Sequence, residues 1–330
     1  MTTLSERTNI IKQLKYALSI VAMLAVASCG KNHSNPVNRT FDSILDLYDE
    51  YRVVHLGERH WNMTDYDFRI SLINYPRFAE VVDDIVIESG NYLYQHVLDE
   101  FIVELKDPPK SELQKVWRNT VVTTGVWDAT IYKEFIYAVR AVNEGLSPDQ
   151  RIRLIAAEPP IEWSKVHTVD EFQAYFCQRS THTPAIIKTE VIDKGRKAFV
   201  VYGGAHFYKS GGTMAGCAKN IRANLEEMTG IQVFNIEPVS GDETYPWNFN
   251  DVIPSDSVPL FLNLTKTDAS AYMTAPLSAN IFGEQEVLYD GVLYLGPGPD
   301  LEADYDPEAA NDSVYQTEFE RRRAIESQRW

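Results

Sequence analysis

The residues that could do chemistry cluster just after short apolar runs. In VVHLGERHW, residues 53–61, the chain turns at Gly57 and sets down Glu58, Arg59 and His60 in a row. DIVIES closes on Glu88, IRLIAAEPP carries Glu158, KAFVVYGGAHF carries His206, and QVFNIE ends on Glu237. A histidine held by a carboxylate takes a proton from water, which is general-base chemistry. Two imidazoles and two carboxylates are also a reasonable ligand set for a divalent ion such as Mn, Fe or Zn, which would make bound water nucleophilic near neutral pH. The residue types alone leave both routes open. Glu58, His60, Glu88 and His206 are the catalytic candidates, and the same four are the candidate metal ligands. Arg59, Arg140 and Glu158 are candidates for contacting a substrate.

Plainer roles compete at each position. Glu58 and His60 could be ordinary loop residues, and Glu88 could serve a salt bridge to Arg59. Gly203 and Gly204 before His206 permit an unusual backbone, or mark only a tight turn. Glu158 could simply end a strand before Pro159 and Pro160. Glu237 reads as structural and His55 as a core residue. His96 on a helix, and His167 and His182 in loops, read as structural too. Arg140 and Asn143 lie one helical turn apart near a helix end, within reach of a ligand or on a solvated face.

The elements that would position these groups follow from the hydropathy pattern. Seven runs rich in Val, Ile, Leu and Phe occur at 51–57, 84–89, 152–157, 197–203, 232–237, 258–264 and 287–296. Continuous apolar runs of this length suit strands covered on both faces, as in a parallel sheet. Between them lie segments with helical spacing: Phe41, Ile44, Leu45 and Tyr48; then Leu93, Val97, Phe101 and Leu105; then 129–146, stopping near Gly145; and 213–230, stopping at Gly230. Strand and helix alternate, so the fold class is α/β: a three-layer sandwich with a mainly parallel sheet flanked by helices, with an eight-fold barrel as second choice. A parallel sheet would gather all the acids and imidazoles at its carboxyl edge, where open α/β sheets bind ligands. Segments 106–120 and 240–251 read as long loops.

The ends carry a different message. Lys12 and Lys15 precede an uncharged stretch from Tyr16 to Ser28. It is shorter than the roughly 20 apolar residues that span a bilayer as a helix, and it matches the apolar part of a secretory signal. Val26–Cys29 reads VASC, which resembles a bacterial lipobox. That resemblance implies a signal peptide over 1–28, lipid on Cys29, and a flexible tether over 29–39. The expected globular domain covers 40–298, followed by an acidic tail over 299–330 that ends as a helix packed on the domain or as a loose end. The expected location is the bacterial cell envelope, lipid-anchored and facing the periplasm. There Cys177 and Cys217 either pair or stay as buried thiols.

The full chain has a net charge of −16. It would repel phosphate backbones, and no basic patch with interleaved aromatics occurs, so nucleic acid is not an expected partner. The expected partners are a small-molecule or peptide substrate, and the membrane through the lipid. KSGGTMAG fits neither a Walker loop nor a dinucleotide fingerprint, and no GxSxG or HExxH occurs, which disfavours a serine hydrolase or a typical zinc protease.

GERH after one strand, IESG at the next strand end and YGGAHF later resemble the erythromycin esterase and ChaN-like superfamily, which includes Tiki-type proteases. The similarity runs from about residue 40 to 297. It implies a three-layer α/β fold and a site at Glu58, His60, Glu88 and His206. Some members open esters or lactones with water, Tiki-type relatives are metal-dependent proteases, and ChaN-like lipoproteins bind haem. The implied cofactor is a divalent metal ion, with haem as the alternative. Two departures stand out: the Glu58–His60 spacing is one residue shorter than in the esterases, and residues 61–68 lack the further histidines frequent in ChaN-like chains.

Overall fold

The computed structural model describes residues 35–209, 219–241, 247–273 and 288–329. The expected signal segment, the lipobox-like stretch with Cys29, most of the expected tether and Cys217 lie outside them. Seven strands form one sheet: β1 Val53–Glu58, β2 Asp84–Asn91, β3 Arg153–Glu158, β4 Ala198–Gly203, β5 Val233–Val239, β6 Leu260–Asn263 and β7 Gly291–Tyr294. Their order is β3-β2-β4-β1-β5-β7-β6, and every neighbouring pair is parallel except β6 with β7. All seven apolar runs are therefore strands, and the sheet stays open rather than closing into a barrel. β1 and β2 are buried along their whole length, as strands with helices on both faces must be.

The helices are α1 Pro36–Leu45, α2 Met63–Ile73, α3 Gln95–Ile102, α4 Lys110–Arg118, α5 Thr130–Glu144, α6 Val169–Ile186, α7 Ile221–Thr229 and α8 Ser313–Glu326, with several shorter turns between them. One face of the sheet packs Val54, Leu56, Ile85 and Ile87 against apolar stripes of α1 to α5, such as Ile44, Leu72, Leu98, Val116 and Ile136. The other face packs Val86, Val200 and Tyr202 against Ile186 of α6, Ile187 of the π-helical turn that follows it, and Ile221 and Leu225 of α7. Each strand side chain faces the layer opposite to its neighbours', which is the period-two alternation of a pleated strand.

Two expectations change. Segment 106–120 contains α4 rather than a long loop: Pro109 precedes its first turn, and Leu113, Val116 and Trp117 form a buried stripe at helical spacing. His182 lies within α6, not in a loop. Of the two alternatives for the end of the chain, the structure has the packed helix, α8, within the compact unit that begins at Pro36. Ile325 of α8 joins Val121, Ile161, Trp163 and Phe172 in a small satellite core, and Arg322 donates to the Arg118 carbonyl at 2.7 Å.

Candidate functional site

The parallel sheet sends β1, β2 and β4 to a common edge as spatial neighbours. Glu58 is the last residue of β1 and pairs in register with Gly203, the last of β4. β2 flanks β4 on its other side and carries Glu88. His206 follows in the single turn Gly204–Phe207. The chain order reverses between these strands, which opens the crevice that α/β sheets use for ligands.

Gly203 shows how tightly the groups converge. A Cβ built on it would stand 3.5 Å from Glu88 Oε2 and 3.5 Å from His60 Nε2. The Gly203 amide donates to Glu88 Oε2 at 2.7 Å. His60 Nδ1 lies 3.4 Å from Glu58 Oε1, and His206 Nε2 lies 3.3 Å from Glu88 Oε1. The four residues predicted as the catalytic set thus form two imidazole–carboxylate pairs at one sheet edge. The His60 side chain is 37% exposed and that of His206 8%, so His60 is the imidazole an incoming molecule meets first. Trp127 stands edge-on to it at 5.1 Å.

Glu88 reaches a partner that the sequence did not suggest. Arg179 of α6 donates from Nη2 to Glu88 Oε1 at 2.5 Å and from Nε to Glu158 Oε1 at 2.9 Å. All three side chains are buried. The alternative of a Glu88–Arg59 salt bridge is not what forms. Arg59 pairs instead with Asp65 and Asp300 and donates to Ser240. Glu158, expected to contact substrate, is fully buried against Arg179. Arg140 is not at the site: its guanidinium donates to the carbonyls of Phe101, Leu105 and Lys106 and lies over the Phe101 ring. Asn143 one turn on donates to the carbonyl of Ile152, just before β3 begins. Arg140 therefore sits at the opposite, amino-terminal edge of the sheet.

The charge states diverge. Burial works against a charged His60, but the hydrogen bond and charge of Glu58, with Glu88 behind, outweigh it and raise His60 to about 9. Burial lowers His206 below the usual imidazole value despite the pull of Glu88. Burial also opposes ionisation of Glu88, yet His206, Arg179 and His60 together hold it well below the usual carboxyl range. Glu58 is held low as well, where Arg69 and His60 overcome burial. Burial lifts Glu158 to about 7 against the pull of Arg179. Burial thus works against a charge on His206, whereas the carboxylates around His60 favour one there.

Two neighbours were read differently or missed. Glu237, expected to be structural, lies against the glycines of the site: a Cβ on Gly204 would stand 2.8 Å from Glu237 Oε2, and one on Gly57 3.2 Å. Glu237 Oε2 is buried without a hydrogen-bond partner, and burial lifts the carboxyl to about 8, with Asp65 adding to it. Behind Glu58, a small cavity lined by Tyr66, Arg69, Ser89 and Tyr132 has room for about one water molecule. Arg69 Nη1 in its wall is buried and unpartnered. His55 is a core residue as expected, bonded to Asn235 at 2.7 Å and stacked on Phe207.

The donor set does not fit a divalent metal. Glu88 is already paired with Arg179, and a guanidinium inside the cluster repels a second cation. Among the described residues, no three His, Cys, Asp or Glu converge to hold an ion.

No family model matches the chain, and no curated protein matches it. Among solved structures, a Bacillus cereus protein aligns with 80% of this chain and 93% of its own at 11% identity, with a TM-score of 0.48. ChaN of Campylobacter jejuni, solved with cofacially bound haem, aligns with 60% of this chain and 85% of its own at 11% identity, TM-score 0.36. The type III effector HopBA1 aligns with 63% and 84% at 14% identity, TM-score 0.37. None of the three is named as an esterase. Similarity at this level carries no argument about chemistry, which rests on the chain's own geometry.

Proposed function

We propose that this chain is a hydrolase that activates water at the carboxyl edge of its sheet and cleaves an ester, lactone or amide in a small molecule or peptide. One observation carries the reading: His60 and His206, each set against a carboxylate, converge on the buried Glu88 at the edge of the sheet. Acid and base roles are assigned where environments push such groups apart. Ionised Glu88 accepts the Nε2 proton of His206, which leaves Nδ1 as the free base. His206 takes a proton from water as the water oxygen attacks the carbonyl carbon. Protonated His60, held by Glu58, stabilises the oxyanion and then gives its proton to the leaving oxygen or nitrogen. The proton on His206 returns to His60 through solvent, which closes the cycle.

The amino-terminal pattern supports export and lipid attachment at Cys29, so the proposed setting is the cell envelope facing the periplasm. Replacing Cys29 with Ser should abolish fatty-acid labelling and release the protein from the membrane fraction.

The decisive experiment is a panel of ester, lactone and peptide substrates assayed with the wild type, His60→Ala and His206→Ala. Loss of the general base should cost about 10²–10⁴-fold in rate. Turnover that is equal in all three proteins would rule the catalytic role out. Adding haem to the same samples tests the rival reading: a Soret band that His60→Ala removes would favour a haem-binding protein without turnover.

A further inference from the structure

His60 sits in a turn of unusual shape. The Asn62 amide donates back to the Arg59 carbonyl, and Trp61, directly after His60, has φ 66°. A tryptophan in the left-handed region is strained and persists only where its surroundings hold it. On one side the turn is held by Asp65, which accepts from the Arg59 amide and pairs with its guanidinium, while the Asn62 side chain caps α2 through the Asp65 amide.

On the other side lies the carboxyl-terminal segment. Asp300 pairs with Arg59 at 2.9 Å and bonds Ser240. The Met63 amide donates to the Leu301 carbonyl at 2.8 Å, and the Ala303 amide to the Trp61 carbonyl at 2.7 Å. Asn62 and Glu302 form an antiparallel bridge. The same strip then grips the turn that carries Trp127, the ring standing edge-on to His60. Ala129 bridges Tyr305, the Thr130 amide donates to Asp304, and the Asp306 amide donates to the Asp128 carbonyl.

We infer that residues 300–306 brace the turn carrying His60, with Asp300 and the Ala303 amide acting as positioning groups that hold the imidazole against Glu58. The brace joins residues far apart in sequence: Arg59 and Asp300 are separated by 241 positions. It takes its purpose from the proposed hydrolytic site, but its test does not depend on turnover. Neither Asp300 nor Ala303 touches the reacting atoms. They act by fixing where the His60 backbone runs, and thereby the 3.4 Å contact with Glu58.

The test is the proton-NMR titration of the histidine ring protons in the full chain, comparing wild type with Asp300→Ala, Ala303→Pro and Ala303→Gly. Asp300→Ala removes the ion pair, and Ala303→Pro removes the amide proton. Ala303→Gly keeps that proton and serves as the conservative control. With the brace loosened, the His60 midpoint should fall toward the ordinary imidazole value by about one unit or more. The His55 and His206 midpoints should stay in place, and Ala303→Gly should match the wild type. A shift of His60 in either disabling variant, with the helical circular dichroism retained, supports the brace. A His60 midpoint unchanged in both overturns it. Because an imidazole is read rather than a product, the brace and the hydrolase reading fail separately.

Discussion

Arg179 lies 2.5 Å from Glu88, and this contact sets the character of the site. It places a permanent positive charge where a metal ion would otherwise be needed to hold two buried carboxylates, since Glu158 shares the same guanidinium. Replacing Arg179 with Met would take from the buried Glu88 and Glu158 the guanidinium they share. Breaking a buried pair from one side costs about 3–5 kcal/mol, so urea unfolding of Arg179→Met should show a loss of that order. Adding Glu158→Gln in that background should recover part of it, because one of the two stranded charges is then gone.

Activity should depend on pH in a bell. The base, His206, must be neutral, and its value is lowered, so the acid limb lies below the ordinary 6.5. The acid, His60, must be protonated, so the basic limb falls near 9. A profile of kcat/KM against pH checks both limbs, and a rate that keeps rising through pH 10 would contradict the assigned roles.

Folding stability should carry the same signature with a definite sign. His60 is raised above its unfolded value, so its contribution is fully present below about 6.5 and disappears as pH rises through about 9. Glu237 is a carboxyl raised to about 8, so the folded chain keeps a proton that the unfolded chain loses above about 4.5. Glu237 therefore costs stability increasingly between those two values. Glu237→Gln should stabilise the chain more at pH 8 than at pH 5, as read by denaturant midpoints at the two pH values.

Gly204→Ala should be costly for one reason. The added methyl would stand 2.8 Å from Glu237 Oε2. Overpacking of this kind costs about 1–3 kcal/mol. In a double-mutant cycle, Glu237→Ala should make the same glycine change nearly neutral. Additive effects would mean that the clash lies elsewhere.

Divalent ions should leave the fold untouched. With Arg179 already supplying the cation, neither EDTA nor added Zn²⁺ or Mn²⁺ should move the thermal midpoint. A rise of several degrees on adding one of them would show a donor set that Arg179 does not block.

The sequence by itself determined the sheet. The seven apolar runs read as strands, and the helical spacings between them called for parallel pairing, which holds for every strand but the partly buried β6. Parallel strands deliver their carboxyl ends to one edge, so Glu58, His60, Glu88 and His206 were bound to meet once that pairing was granted. Even the short α4 was legible afterwards, in Leu113, Val116 and Trp117, where prolines and charges had suggested a loop. Tertiary structure alone decided the rest. Arg179 comes to Glu88 across 91 positions from a helix whose sequence marks it as nothing special. Arg140, with an equally plausible sequence context, ends at the far edge of the sheet. Whether a given histidine is charged depends on burial and on neighbours a few ångströms away, and those are properties of packing. Periodicity fixes which elements form and which way they run; only their packing sets the distances, and the chemistry of this site resides in the distances.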